Sequence, residues 1–153
     1  MISVSTSLEM KILETLRGLK PGVQCVGLME VADAGVQKEQ DLSALQVRVY
    51  GLAQRNENSD MFTVSAEIRL NVEQAESANG GVFFDAHEKV ALWLEHVMID
   101  ANCSELDTKE AFVDGLQRTG GDKDFDTSSG VWFAVWNMTL SGRTKEQQEE
   151  SNG

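Results

Sequence analysis

Residues Ser129–Gly142, SGVWFAVWNMTLSG, form the most apolar stretch of the chain and hold two of its three tryptophans. Read with a period of two, Trp132, Ala134, Trp136, Met138 and Leu140 point one way, and Val131, Phe133 and Val135 point the other. A half-buried strand needs one apolar face. The first half of this strand has two, which predicts a strand covered on both sides. Helices are expected on one side. For the other, three covers are open: a neighbouring subunit, the acidic stretch that precedes the strand, or the C-terminal tail. Aromatic residues and methionine are enriched where proteins associate, and an exposed apolar patch marks a partner. Trp132, Phe133, Trp136 and Met138 are therefore the candidate subunit interface.

Outward from this strand, the pattern alternates helix and sheet signals. Leu8, Ile12, Leu16 and Leu19 recur at helical spacing in STSLEMKILETLRGLKPG, with Ser5 or Ser7 as cap and Lys20-Pro21-Gly22 as stop. VQCVGLMEV (residues 23–31) reads as a strand and ADAGVQKEQD (32–41) as a loop. LQVRVYGLA alternates, and MFTVSAEIRLN alternates more clearly, with Phe62, Val64, Ala66, Ile68 and Leu70 inward. The polar segment 54–60 between them predicts an antiparallel hairpin. DAHEKVALWLEHVMID predicts a second helix that starts at an Asp85–Glu88 capping box, with Phe83 stapling its entry. KEAFVDGLQRT reads as a weaker strand, and GGDKDFDTSSG as an acidic loop. The expected fold is α+β: about five mainly antiparallel strands with two helices on one face, in the order α-β-β-β-α-β-β. One domain is expected over residues 1–142, followed by a polar, disordered tail over 143–153.

Composition narrows the function. Hydrophobic residues are 41% and charged residues 25% of the chain, as in soluble globular proteins. The formal charge of −12 opposes tight binding to nucleic acid backbones or to anionic membranes. Two cysteines are too few for a disulfide scaffold. No signal peptide and no membrane-spanning run is read, so a cytoplasmic location is expected.

No catalytic motif emerges. His87 and His96 share the second helix but fall on opposite faces. His96 and Asp100, four apart, are two groups and make no zinc site. Asp122, Asp124 and Asp126 match the first half of a calcium loop, but Thr127 and Phe133 stand where that loop needs glycine and glutamate. No nucleophile elbow or phosphate loop is present, and nothing local makes a cysteine–histidine pair. No metal, no cofactor and no enzymatic activity are expected.

The order of elements resembles the tail-terminator (tail-completion) proteins of long-tailed bacteriophages, with the related minor tail and head–tail joining proteins. The likeness rests on the first helix closed by LKPGV, on FTVSAEIRLNVEQA leading across a glycine-rich break into DAHEKVALWLEHV, and on the final VWFAVWNMTLSGR with its charged tail. It implies a structural virion-assembly protein, in the virion or the cytoplasm of the bacterial host. Such a subunit forms a homo-oligomeric ring, typically a hexamer, ends tube growth and meets other tail or head-connector proteins. The last strand and the loops 32–41 and 54–60 are its expected contacts. The alternative is a small binding module with an apolar pocket on the sheet, walled by Trp132, Trp136 and Phe62.

Overall fold

The computed structural model describes residues 3–27, 43–54, 60–74 and 80–145. Helix α1 (Val4–Gly18) is followed by β1 (Gln24–Gly27), β2 (Ala44–Gln54) and β3 (Met61–Glu73). Helix α2 (Gly81–Val97), a 3-10 helix (Asp100–Leu106), β4 (Ala111–Asp126) and β5 (Val131–Thr144) complete the order. The fold is α+β. Its five strands run β1-β2-β3-β5-β4 across one sheet, with β1 parallel to β2 and every other pair antiparallel. The 3-10 helix is an addition to the order that the sequence pattern predicts. The predicted strand residues 28–31, the loop 32–41 and most of 54–60 lie outside the described residues, as does the tail from residue 146.

The alternation in the sequence decides which face of the sheet meets the helices. Leu45, Val47 and Val49 on β2, Phe62 through Val72 at even positions on β3, and Ala134, Trp136, Met138 and Leu140 on β5 all enter one buried cluster. Leu8, Ile12, Leu13 and Leu16 of α1 and Phe83, Ala86, Val90, Trp93, Leu94 and Val97 of α2 close it from above. A large aliphatic or aromatic side chain of this kind contributes about 1.5–3 kcal/mol by leaving water.

Three local readings are corrected. Ser3 caps α1, accepting from the Thr6 N–H at 3.1 Å. Ser7 is instead buried, with its hydroxyl 3.0 Å from that of Thr108 at the entry to β4. Helix α2 starts four residues before the expected capping box, behind Gly80 in the left-handed region (φ 76°). A Cβ at Gly80 would stand 2.7 Å from the Phe84 ring, so glycine is required there. Asp85 thus lies inside the helix and pairs with Lys89 at 3.5 Å, and Phe83 belongs to the core.

Residues 120–126 are not a loop but the distal part of β4, paired with β5 from Gly120↔Asn137 to Asp126↔Val131. Bulges at Asp114 and Thr119 shift the register twice, and two shifts restore the original facing. Gly115, Gly120 and Gly121 lie at or beside these irregularities, which is where glycine belongs in a strand.

Candidate functional site

Strand β5 lies inside the sheet, between β3 and β4, so its two faces look toward the helices and away from them. On the helix side Trp136 is 2% and Met138 1% exposed. Both are core residues, not surface contacts. Trp132 is half-buried and ends an aromatic cluster: it stacks on Phe83 at 5.6 Å and meets Phe84 at 5.4 Å and Phe125 of β4 at 4.8 Å. Its indole N–H is buried without an acceptor among the described residues. Of the four predicted contact residues, Phe133 alone is on the outer face. The expected pocket of Trp132, Trp136 and Phe62 is filled, because Phe62 and Trp136 pack into the core.

His87 sits over Trp136 at 4.9 Å. Burial holds its pKa below the ordinary 6.5, and the positive charges of Lys123 and Arg118 on β4 push it the same way. The unfolded chain therefore takes up the proton first as pH falls through about 6.5. Stability at His87 is present above that pH and is lost below it. We expect the urea midpoint to drop between about pH 7 and pH 5.5, and to drop less in His87→Gln. Equal slopes in the two proteins would remove His87 as the cause.

The remaining reactive groups are held in structural contacts. His96 Nε2 is 2.6 Å from Glu105 Oε2, across the turn into the 3-10 helix. Cys103 is buried and donates to the Val97 carbonyl at 3.2 Å. Burial raises its thiol pKa, and Asp100 adds to the shift. No group of three or more His, Cys, Asp or Glu able to hold a metal occurs among the described residues. None of the described helices is long and apolar enough to cross a membrane.

The outer face is organised in columns. Register places Arg69, Asn71 and Glu73 of β3 beside Val135, Phe133 and Val131 of β5, and these beside Asp122, Asp124 and Asp126 of β4. The aspartates share one face at strand spacing, about 6–7 Å apart along the chain. Asp122 and Asp124 accept from the N–H of Lys123 and Phe125, at 2.8 Å each. Those bonds occupy amides of an edge strand that would otherwise invite another strand. Asp126 accepts from the Ser128 hydroxyl at 2.7 Å. Hydrogen bonds from Ser128 and Ser129 hold its pKa below the carboxylate norm.

A pocket of about 420 Å³ opens here, lined by Arg69, Asn71, Glu73, Asp126, Val131 and Phe133, with Ser129 at its edge. Asn71 is 2% exposed, and its Nδ2 is buried without a hydrogen-bond partner among the described residues. Such a group costs about 1–3 kcal/mol if nothing satisfies it.

The other end of the hairpin carries the opposite charge. Phe112 is 44% exposed. The Arg143 guanidinium lies 5.9 Å and the Lys145 ammonium 4.6 Å from its ring centre. Phe112 pairs with Arg143, on the same face as Phe133. Sequence reading misses this end because Phe112 and Arg143 come together only through the β4–β5 register. Asn71 reads in sequence as an ordinary polar strand end. No protein-family model matches this chain, and no curated protein matches it significantly.

Proposed function

We propose that the chain is a non-catalytic structural subunit that assembles into a ring at the end of a phage or prophage tail tube. The ring ends tube polymerisation and offers a surface to the head connector and to other tail proteins. The observation that supports this reading is the outer face of β5. Val131 and Phe133 are half-buried beside Val135 at 9% exposure, on a strand whose other face is committed to the core. An apolar strip in that position fits a neighbour. The element order on which the likeness to tail-terminator proteins rests, α-β-β-β-α-β-β, fits the same reading. The −12 formal charge suits a ring that lets DNA pass without gripping it.

Light scattering over a wide concentration range, followed by negative-stain imaging, tests the assembly. The expected result is a closed ring with mass near six subunits, alone or on purified tail tubes. A monomer at every concentration, with or without tubes, would sink the reading.

A further inference from the structure

The outer face of the β4–β5 hairpin is bipolar. One end offers Asp122, Asp124 and Asp126 beside Val131, Phe133 and Val135. The other offers Phe112 under Arg143 and Lys145. We propose that the basic, aromatic end of one copy docks on the acidic, apolar end of a second copy. This rests on the assembly reading above and names its contact.

Four observations carry the inference. Firstly, neither Arg143 nor Lys145 makes an ion pair among the described residues, and both charges rest on the Phe112 ring. Secondly, the three aspartates have no cationic partner among the described residues either; their bonds go to backbone amides and to the Ser128 hydroxyl. Unpaired charges of opposite sign on one face favour orientation and specificity when two such faces meet. Thirdly, the two ends cannot satisfy each other within one molecule. Ten residues of β5 separate Phe133 from Arg143, about 33 Å along an extended strand. A second copy offers each end the complement that the other end of its own hairpin cannot reach. Fourthly, the acidic end is more than a charge cluster. It borders the pocket of about 420 Å³ lined by Val131 and Phe133, by two acids, Glu73 and Asp126, and by one cation, Arg69; Asn71, 2% exposed with its Nδ2 unpartnered among the described residues, lines it too.

The chemistry of the fit is specific. The Phe112 ring of the incoming copy enters the pocket against Phe133, an aromatic pair that adds to the apolar area removed from water. Arg143 and Lys145 then face the aspartate column. A contact between unlike patches is heterologous, and its repetition in one sense generates a ring when the rotation closes and an open filament when it does not. Repetition in both senses between two copies makes a two-fold pair. Both use the same residues.

Half-variants test the contact. Arg143→Glu with Lys145→Glu removes the basic end and leaves the acidic end. Asp122→Asn with Asp124→Asn removes two of the three charges of the acidic end, while the amide oxygens still accept from the N–H groups of Lys123 and Phe125. Circular dichroism and urea unfolding check that each folds. By sedimentation velocity each is expected to self-associate at least about tenfold more weakly than the wild type, the loss typical of a few desolvated charge pairs. Mixed together, they are expected to form a one-to-one complex and nothing larger, because each retains the end the other lacks. Glu88→Gln with Glu95→Gln on α2 removes two acids elsewhere and is expected to leave association unchanged.

If both half-variants assemble as the wild type does, the contact is wrong and the ring reading survives. The contact is equally overturned if the α2 variant changes association as much as the hairpin variants, since general charge would then be the cause. If the folded wild type is a monomer throughout, on tubes and off them, both fail together.

Discussion

Gly142→Ala is expected to destabilise the protein by about 3 kcal/mol, the upper part of the usual range for forcing atoms into a packed core. With an m-value of about 2 kcal/mol/M, the urea midpoint falls by about 1.5 M. Gly142 sits on β5 between Phe62 of β3 and Val113 of β4, beside the bulge at Asp114. A Cβ there would stand 1.9 Å from the Phe112 carbonyl oxygen and 3.0 Å from the Phe62 ring. The first neighbour is backbone, so rotamer changes cannot relieve it. Either β4 moves away and breaks ladder bonds, or β5 shifts and disturbs the core. Gly18, which ends α1, is the control, since a Cβ there meets nothing within 4 Å. Gly18→Ala should be neutral or stabilising by up to about 1 kcal/mol. If the two alanines behave alike in urea, the close approach at Gly142 is not what sets its cost. The change also moves Phe112, so assembly through the basic end of the hairpin should weaken with it.

Glu9→Ala is expected to cost about 2 kcal/mol, and Glu9→Gln clearly less. Glu9 is 6% exposed on α1, an unusual place for a carboxylate. Its Oε1 accepts from the Val49 N–H at 3.1 Å. Gly27 of β1 lies opposite Val47, and the β2 amide two residues on, that of Val49, takes the α1 carboxylate as its acceptor. Gly27 makes room, since a Cβ there would lie 3.0 Å from the second carboxylate oxygen. Alanine removes the acceptor and strands a buried amide, which costs about 1–3 kcal/mol. Glutamine keeps an acceptor of the same shape. Thermal or urea unfolding of the three proteins decides this. A glutamine variant as unstable as the alanine one would show that the negative charge, and not the amide bond, is what α1 supplies.

Much of the fold is legible in the sequence because periodicity records burial. The alternation of Phe62, Val64, Ala66, Ile68 and Leu70 marks β3 and its inward face. The helical recurrence of Leu8, Ile12 and Leu16 marks α1. The polar break after Ala53 marks the β2–β3 hairpin, and the order α-β-β-β-α-β-β follows. The helix starts are less legible. Asp85 and Glu88 make a plausible cap in isolation, but Gly80 reaches a left-handed turn that starts the helix four residues sooner and places Phe83 in the core. Burying Phe83 outweighs one capping bond.

The candidate site is half legible. The sequence alone determined that β5 has two apolar faces, because side-chain direction alternates whatever the neighbours are. It could not say which tryptophans are surface. Trp136 and Met138 go to the core because α2 packs on their side of the sheet, and only a tertiary contact assigns sides. Nor could it show that GGDKDFD is a strand. Glycine and aspartate disfavour strands locally, and only the continuous ladder to β5 holds them extended. That pairing turns three scattered aspartates into a column beside Phe133, and brings Phe112 to Arg143 from 31 residues away. Local chemistry fixes what each residue can be. Non-local register fixes what stands next to it, and a binding surface is made of neighbours.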